Sequence, residues 1–324
     1  MKNTLRRIGI LTSGGDAPGM NAAVRAAVRN CMNHDIIPIG IHRGYSGLLH
    51  TDVVEMNARS VDGILNRGGT TLYTARCEEF KTPDGIERGV NACKYLGLDG
   101  LIVIGGDGTF RGAEKLSQAG IPVVGIPATI DNDISCTHYT IGFDTAANTA
   151  IDAIDRLADT MQSHERVSVV EVMGRHAGHL AIYIGLSVGA TATLVPEKIF
   201  DFESDVLEKI REGKYHGKHH FLIIVAEGVG STADIAARIE EETGLDARVT
   251  ILGHVQRGGS PTARDRVMAS RMGHFAVEQL VNGNANTVVC YRNAQLCAIP
   301  ITEAFGMKKD LNSYMYKVAY DISN

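Results

Sequence analysis

The chain of 324 residues lacks several features that would point to particular classes of protein. Its formal net charge is −5 and basic residues form no long run, which argues against nucleic-acid binding through a basic surface. No uninterrupted apolar segment reaches the ~20 residues that a membrane-spanning helix needs. The six cysteines form no CxxC pair and a chain of this size needs no disulfide framework, so we expect free thiols in a reducing compartment.

A signal peptide is not expected either, because the first apolar segment, residues 8–11, begins almost at once. Together these absences predict a cytoplasmic protein with neither a nucleic-acid partner nor a membrane partner. With 44% hydrophobic and 21% charged residues, the composition is that of an ordinary globular protein. A chain of this length can bury about three quarters of its unfolded surface, so one large or two medium domains are expected.

Short apolar segments rich in β-branched residues alternate with segments of helical periodicity. The predicted strands are residues 8–11, 36–41, 101–104, 123–126, 167–172, 193–195 and 221–226. Continuous apolar strands are typical of parallel sheets that are covered on both faces. Helices are predicted at residues 21–31 and 145–161, the second capped by Asp144. The alternation predicts an α/β fold whose functional loops follow the carboxyl ends of strands.

The first predicted strand leads into a glycine-containing loop, residues 12–21 (TSGGDAPGMN), and then into a helix. Glycines allow backbone N–H groups to approach a phosphate, and the helix N-terminus adds a partial positive charge. The loop matches neither GxGxxG nor the Walker A pattern, and no Walker A sequence occurs elsewhere. A phosphate-binding loop and a simple tight turn therefore both remain open.

Two loops with carboxylates follow the next strands. Residues 105–109 (GGDGT) combine glycines with Asp107, and Mg²⁺ at a nucleotide site needs only one or two carboxylates besides phosphate oxygens. Residues 129–133 (TIDND) place Asp131 and Asp133 on one side of an extended segment. One of them could ligate the magnesium ion, directly or through water, while the other accepts a proton from an attacking hydroxyl. An Asx turn would explain one of these aspartates but not both.

Two further loops carry cationic side chains. Arg175 follows the strand at 167–172, and its guanidinium suits phosphoryl oxygens, although an exposed arginine without a special role is an open alternative. Residues 253–260 (GHVQRGGS) place His254 and Arg257 among glycines, where both can donate to a phosphate. Taken together, the loops predict an enzyme that transfers a phosphoryl group between two phosphorylated small molecules.

These motifs resemble those of the bacterial ATP-dependent 6-phosphofructokinase family, and the similarity covers nearly the whole chain. Besides the two aspartate loops, the matching segments are residues 11–21, 66–70, 171–175 and 253–261. The resemblance implies two Rossmann-like three-layer α/β/α domains with mainly parallel sheets, an active site in the interdomain cleft, and a homotetramer. The implied domains are a larger ATP-binding one of residues 1–142 plus 256–306 and a smaller sugar-phosphate-binding one of residues 143–255 plus 307–324.

The resemblance implies transfer of the γ-phosphoryl group of MgATP to the 1-hydroxyl of fructose 6-phosphate. Asp131 would be the base, Arg175 would meet the developing charge, and Thr129 would complete the catalytic set. Asp107 and Asp133 would hold Mg²⁺. The expected ATP contacts are Gly15, Tyr45, Arg76, Cys77, Gly106, Asp107, Gly108 and Thr109. The residues expected around fructose 6-phosphate are Thr129, Asp131, Met173, Gly174, Arg175, Glu227, His254 and Arg257, with Arg166 and Arg248 reaching its phosphate from a neighbouring subunit.

Two positions bear on the phosphoryl donor. Pyrophosphate-dependent relatives usually have Asp and Lys where this chain has Gly108 and Ala128, and a carboxylate at 108 would crowd the α-phosphate of a nucleotide. ATP is therefore the expected donor. Ala128 also replaces the glycine that is usual in bacterial relatives, which would be costly if the backbone there needed a positive φ.

The regulatory pocket of the family is only partly matched. Arg25, Arg29 and Lys218 correspond to residues that bind ADP or phosphoenolpyruvate in relatives, but other positions lack the usual charges. These positions are Ala58, Ala158, Thr191, His216 and His219. Each lost charge-assisted hydrogen bond is worth about 1.5–3 kcal/mol. We therefore expect weak or altered regulation by these effectors.

Two other functions remain as alternatives. An NAD or lipid kinase can share the GGDGT loop, but such kinases lack the TIDND and GHxQRGG segments found here. A catalytically silent subunit that only binds metabolites is the second alternative. The presence of both Asp107 and Asp131 argues against it.

Overall fold

The structure is a computed structural model that describes residues 5–323. Its strands in that range are β1 Arg7–Thr12, β2 Ile37–Ile41, β3 Val53–Glu55, β4 Gly100–Gly105, β5 Val123–Pro127, β6 Val167–Val172, β7 Ala192–Leu194, β8 Phe221–Ala226, β9 Ala247–Ile251, β10 Thr287–Arg292 and β11 Gln295–Pro300. Its helices are α1 Met20–Asn33, α2 Gly44–Leu49, α3 Pro83–Tyr95, α4 Asp107–Gln118, α5 Phe143–Ser163, α6 His179–Ser187, α7 Glu208–Tyr215, α8 Thr232–Thr243, α9 Ala263–Val281, α10 Ile301–Ala304 and α11 Ser313–Asp321.

The strands form two sheets that are mainly parallel. The larger sheet has the order β11-β10-β5-β4-β1-β2-β3, with antiparallel pairing only for β3 and β11 at its two edges. The smaller sheet has the order β7-β8-β6-β9, and all of its strand pairs are parallel. The predicted α/β fold with mainly parallel sheets is therefore confirmed.

The chain divides into two compact units, each assembled from separate segments. Unit 1 comprises the chain up to Thr129 together with Ile134–Thr145 and Arg257–Lys309. Unit 2 comprises Ile130–Asp133, Ala146–Gln256 and the chain from Asp310 onward. The domain roles and boundaries expected from the sequence stay a prediction.

Each sheet carries helices on both faces. In unit 1, α1 and α9 pack on each other and contact the sheet, while α2, α3 and α4 supply residues such as Leu48, Val90 and Phe110 to the opposite core. In unit 2, α7 and α8 supply Ile210 and Ile239 to one core, and α6 and α11 contact the other side of the sheet. Parallel strands between helical layers have no wet face, which explains their continuous apolar sequences.

Several helix ends have the side chains that favour them. The hydroxyl of Thr82 accepts a hydrogen bond from Gly85 N in α3, and Ser231 and Thr262 play the same role for α8 and α9. The prediction that Asp144 caps α5 is wrong, because the helix already begins at Phe143. Asp144 instead accepts a hydrogen bond from the Thr262 hydroxyl (2.7 Å).

The predicted strands at 167–172 and 221–226 agree with β6 and β8 in both bounds, whereas β3, β9, β10 and β11 were not predicted. β9 is an edge strand with mostly exposed or half-buried residues, so its sequence lacks a continuous apolar run. β11 likewise has no fully buried residue. Of the helices within residues 5–323, none is both long and apolar enough to cross a bilayer.

Candidate active site

In unit 1 the neighbouring strands β5, β4 and β1 end at one edge of the sheet, where the residues that directly follow each strand lie close together. Ser13 N donates to the carbonyl of Ile104 (3.0 Å), and Ala128 N donates to the carbonyl of Gly105 (2.9 Å). The hydroxyl of Thr109 donates to the carbonyl of Ser13 (3.0 Å). These bonds hold the loops after the three strands in a fixed relation to one another.

The loops approach one another closely at Gly105. An added Cβ there would lie 2.4 Å from Ser13 O and 2.4 Å from Thr109 Oγ1, so only glycine fits. Ala128 is buried, and it is not among the described residues that have a positive φ. Its replacement of the glycine that is usual in bacterial relatives therefore brings no left-handed backbone strain.

The loop of residues 105–109 opens directly into α4, which begins at Asp107. Asp107 and Gly108 are exposed, and an added Cβ at Gly108 would meet nothing within 4 Å. The free amides of a helix N-terminus favour phosphate. Among residues 5–323, no cluster of three or more His, Cys, Asp or Glu could hold a metal ion on its own. A carboxylate beside a phosphate site fits Mg²⁺ that arrives with its own phosphate ligands.

Tyr45 supports this loop from the core. Its ring stacks on Phe80 with centroids 4.1 Å apart, and its hydroxyl donates to the carbonyl of Thr109 (2.6 Å). Burial raises the pKa of the Tyr45 phenol, so the group stays a protonated donor. Tyr45 thus acts on the loop through the Thr109 backbone.

The loop of residues 12–21 is hydrogen-bonded to the segment of residues 67–71. Asn21 donates to the carbonyl of Arg67 (3.0 Å) and accepts from Thr71 N (2.7 Å). Nη1 of Arg257 donates to Asp16 O (3.4 Å) and lies 2.7 Å from the position that a Cβ of Gly15 would take. The structure therefore brings Gly15 and Arg257 together in unit 1.

The other predicted ATP contacts of unit 1 lie in the segment before α3. Arg76 is exposed and Cys77 is half-buried. The preceding Thr74 donates through its hydroxyl to the carbonyl of Gly14 (2.6 Å), which connects this segment to the loop after β1.

Thr129 also belongs to unit 1. Its carbonyl accepts a hydrogen bond from the hydroxyl of Thr140 (2.6 Å).

In unit 2 the neighbouring strands β6 and β8 bring Met173, Gly174, Arg175 and Glu227 together. Oε1 of Glu227 accepts from Gly174 N (3.1 Å) and from Arg175 N. Arg175 has a left-handed backbone with φ 59°, which is unusual for a residue other than glycine. The carboxylate of Glu227 stabilises this conformation and so fixes the base of the Arg175 side chain.

Gln256 and Glu197 were missed in the sequence. Gln256 has no exposed surface, and its Oε1 accepts from Met173 N (2.8 Å). Both carboxylate oxygens of Glu197 accept from Gly178 N (2.8 and 3.0 Å), at the N-terminus of α6. Gln256 could have been found, because it lies inside the 253–260 motif. Glu197 belongs to no motif and carries no such signal.

The remaining predicted residues of unit 2 lie in separate loops. Asp131 is buried and Asp133 half-buried, and both belong to the segment Ile130–Asp133. His254 is exposed in the turn that follows β9. Because Asp131 is buried, its carboxylate lies where there is little water. Electrostatic interactions of the carboxylate with neighbouring charges are stronger there than in solvent.

Arg166 and Arg248 converge on one carboxylate. Nε of Arg166 lies 2.6 Å from Oδ2 of Asp246, and Nη2 of Arg248 lies 3.0 Å from Oδ1 of the same residue. The pairing of β6 with β9 places Val167 beside Ala247 and so brings the two arginines together. The sequence predicted both cations but not the aspartate that aligns them.

The predicted effector residues also have contacts in the structure. Nζ of Lys218 donates to Oγ1 of Thr191 (3.2 Å) and to the carbonyl of Ser323 (3.5 Å), and burial lowers the pKa of this lysine. Arg29 lies 3.8 Å from a carboxylate oxygen of Asp62, and Arg25 is half-buried on α1.

Comparison with known proteins places this geometry in a family context. The phosphofructokinase family profile matches residues 7–280. Over 319 residues, the chain is 53% identical to the ATP-dependent 6-phosphofructokinase of Bacillus mycoides strain KBAB4 and 52% identical to that of Bacillus subtilis strain 168. Both alignments cover 98% of this chain and 100% of the relative.

Solved structures of phosphofructokinases have a fold similar to that of this chain. The phosphofructokinase from Saccharomyces cerevisiae has a TM-score of 0.88 and 32% identity, over 93% of this chain and 45% of the yeast chain, so this chain spans less than half of that relative. The pyrophosphate-dependent phosphofructokinase from Marinobacter aquaeolei has a TM-score of 0.84 and 20% identity, over 96% of this chain and 86% of that chain. The second similarity concerns the fold alone.

The close approach at Gly105 generates a testable prediction. Gly105→Ala is expected to lower the midpoint of thermal unfolding by several degrees, because the methyl group must displace Ser13 or Thr109, and overpacking typically costs about 1–3 kcal/mol. Gly108→Ala is the matched control, since a Cβ there meets nothing within 4 Å. Melting curves followed by circular dichroism compare the two variants. Equal midpoints would contradict the steric argument.

Proposed function

The chain belongs to the phosphofructokinase family, and from this premise we propose that it transfers the γ-phosphoryl group of ATP to the 1-hydroxyl of fructose 6-phosphate. The products are fructose 1,6-bisphosphate and ADP. The observation that carries the proposal is the exposed N-terminus of α4, where Asp107 and the open space at Gly108 lie beside the loops after β1 and β5. A nucleotide triphosphate needs such a combination of amides, room and a metal-binding carboxylate.

The nucleotide is proposed to lie along the loops of unit 1. Gly15, Arg76, Cys77 and residues 106–109 are the proposed contacts, and Tyr45 acts by holding the Thr109 backbone. A Cβ at Gly108 would meet nothing within 4 Å, so the loop has room for the α-phosphate of a nucleotide. This supports ATP rather than pyrophosphate as the donor. Asp107, together with Asp133, would hold Mg²⁺, which when bound neutralises charge on the phosphate oxygens.

Asp131 is the proposed general base. Its carboxylate accepts the proton of the 1-hydroxyl as that oxygen bonds to the γ-phosphorus, and the bond from the γ-phosphorus to ADP breaks. Thr129 lies two residues before this base in the sequence. The guanidinium of Arg175 offsets negative charge on the transferring group, and its backbone is already fixed by Glu227.

The sugar phosphate is proposed to bind through backbone and cationic groups. Met173 and Gly174, whose amides are held by Gln256 and Glu227, would contact the fructose portion. His254 and Arg257 would bind the 6-phosphate. In a homotetramer, Arg166 and Arg248 would reach the same phosphate from a neighbouring subunit, and their shared contact with Asp246 supports a common orientation.

The choice of donor and acceptor is the first prediction of this proposal. A coupled assay with fructose 6-phosphate and Mg²⁺ is expected to show product with ATP and little or none with pyrophosphate, because the glycine at 108 leaves room for a nucleotide. NAD in place of the sugar phosphate serves as the control acceptor for an NAD kinase. Turnover of NAD without turnover of fructose 6-phosphate, or preference for pyrophosphate, would refute the proposal.

The role of Asp131 gives a second prediction. Asp131→Ser is expected to lower kcat by ~10²-fold or more, because a positioned base is typically worth that factor. Binding of fructose 6-phosphate, measured by calorimetry, is expected to stay mostly intact. Asp310→Ser is the control, since Asp310 is an exposed loop residue. Unchanged turnover of the Asp131 variant would remove this residue from its proposed role.

Regulation by effectors is proposed to be weak or altered. Thr191 offers a neutral hydroxyl where relatives carry an acid, and it already accepts a hydrogen bond from Lys218. Phosphoenolpyruvate is therefore expected to inhibit poorly in a titration of initial rate at a low concentration of fructose 6-phosphate, and ADP is expected to activate poorly. Strong inhibition at micromolar phosphoenolpyruvate is the outcome that contradicts this expectation.

A further inference from the structure

Residues 137–145, here called the strap, follow the TIDND segment and run into the first turn of α5, which begins at Phe143. One side of the strap follows the end of β5. Ile141 N donates to the carbonyl of Pro127 (3.0 Å), and Ala128 and Ile141 form a parallel bridge. The hydroxyl of Thr140 donates to the carbonyl of Thr129 (2.6 Å). The strap therefore continues the backbone pairing of the sheet beyond the last residue of β5.

The strap also packs against the loop of residues 12–21. A Cβ added to Gly142 would lie 2.7 Å from Cβ of Ala17, and one added to Gly19 would lie 2.6 Å from Cγ2 of Ile141. Both glycines have positive φ, 103° and 108°. The two segments are packed so closely at these glycines that no Cβ fits between them. A small displacement of the strap must therefore move the loop after β1 or the end of β5.

Asp265 holds the strap in this place. It lies in the first turn of α9 and has no exposed surface. Oδ1 accepts from the Tyr139 hydroxyl (2.6 Å) and from Gly142 N (2.8 Å). Oδ2 accepts from Thr145 N (2.8 Å) and from the Thr145 hydroxyl (2.5 Å). Four donors spread along the strap thus converge on one carboxylate.

Local groups favour the ionised form of Asp265, although burial opposes it. The N-terminus of α9, capped by Thr262, favours negative charge in its first turn, and hydrogen bonds to an ionised acceptor are about twice as strong as neutral ones. Burial raises the pKa of the Asp265 carboxyl, while the bonds from Thr145 and Tyr139 act in the opposite direction. Ionised Asp265 can accept all four bonds, whereas an amide at this position cannot.

We propose that Asp265 is a positioning residue for phosphoryl transfer: through Tyr139, Gly142 and Thr145 it holds the strap, and through the strap it fixes the Thr129 backbone from which the TIDND segment continues. This inference rests on the proposed function. The four hydrogen bonds that Asp265 accepts come from the strap, so it is expected to act on the rate of transfer rather than on nucleotide affinity.

The test compares variants that remove one donor or the acceptor. Asp265→Asn replaces one accepting oxygen with an amide donor. Tyr139→Phe and Thr145→Val each remove one hydroxyl and are milder, so they remain informative if the Asp265 variant does not fold. Thr145→Ser keeps the hydroxyl and is the conservative counterpart of Thr145→Val.

We expect Asp265→Asn to lower kcat by about 10- to 100-fold, because small displacements of positioned groups have effects of that size, while KM for ATP changes less than about twofold. Tyr139→Phe and Thr145→Val should lower kcat by smaller factors, and Thr145→Ser should recover most of the rate. A lower unfolding midpoint with unchanged kcat of the folded enzyme would overturn the proposal, since Asp265 would then be structural only.

Amide hydrogen exchange separates this inference from the proposed function. Loss of the Asp265 carboxylate is expected to speed exchange at Ile141 N and Ala128 N, whether or not the protein phosphorylates fructose 6-phosphate. An inactive wild-type protein would refute the proposed function while exchange still tests the link from Asp265 to the strap. Unchanged exchange at both amides in Asp265→Asn would overturn the positioning role in either case.

Discussion

Parallel pairing of β1, β4 and β5 is the constraint on which the loops of unit 1 depend. Because neighbouring parallel strands end at the same edge of the sheet, a few hydrogen bonds between their loops are enough to hold the loops together. Gly105 is a point of close approach, and the hydrogen bonds of Ser13 and Thr109 keep the loops in a fixed relation. These loops orient the N-terminus of α4, and with it the amides proposed to bind the nucleotide and the carboxylate proposed to bind Mg²⁺.

Unit 2 uses a different device for the same purpose. Its proposed substrate loop has an unusual backbone, with Arg175 in the left-handed region, and acceptors from other segments hold its amides. Glu227 binds two of these amides and Gln256 binds a third. Such prior arrangement of the backbone lowers the cost of ordering at the moment of binding. Buried or half-buried polar side chains therefore act here as supports of the site, besides those proposed to contact ligands.

Prediction from the sequence succeeded where the physical signal is local and failed where it is not. β6 and β8 were bounded correctly, because strands buried on both faces read as unbroken apolar runs. β9 was not predicted, because an edge strand can keep its polar residues in water without cost. The prediction of Asp144 as a helix cap is wrong, because the helix begins one residue earlier and the carboxylate accepts a hydrogen bond from the hydroxyl of Thr262, more than a hundred positions away.

The amino-acid sequence was sufficient to predict the α/β class and the loops proposed to carry the chemistry, because the conformational freedom of glycine and the charges of aspartate and arginine follow from residue type alone. Only the tertiary structure decided which side chains hold those loops in place. Glu197, Gln256 and Asp265 act on backbone amides of segments that are remote in sequence, and periodicity carries no information about such partners. A hydrogen bond depends on the distance between atoms, and that distance exists only once the chain has folded.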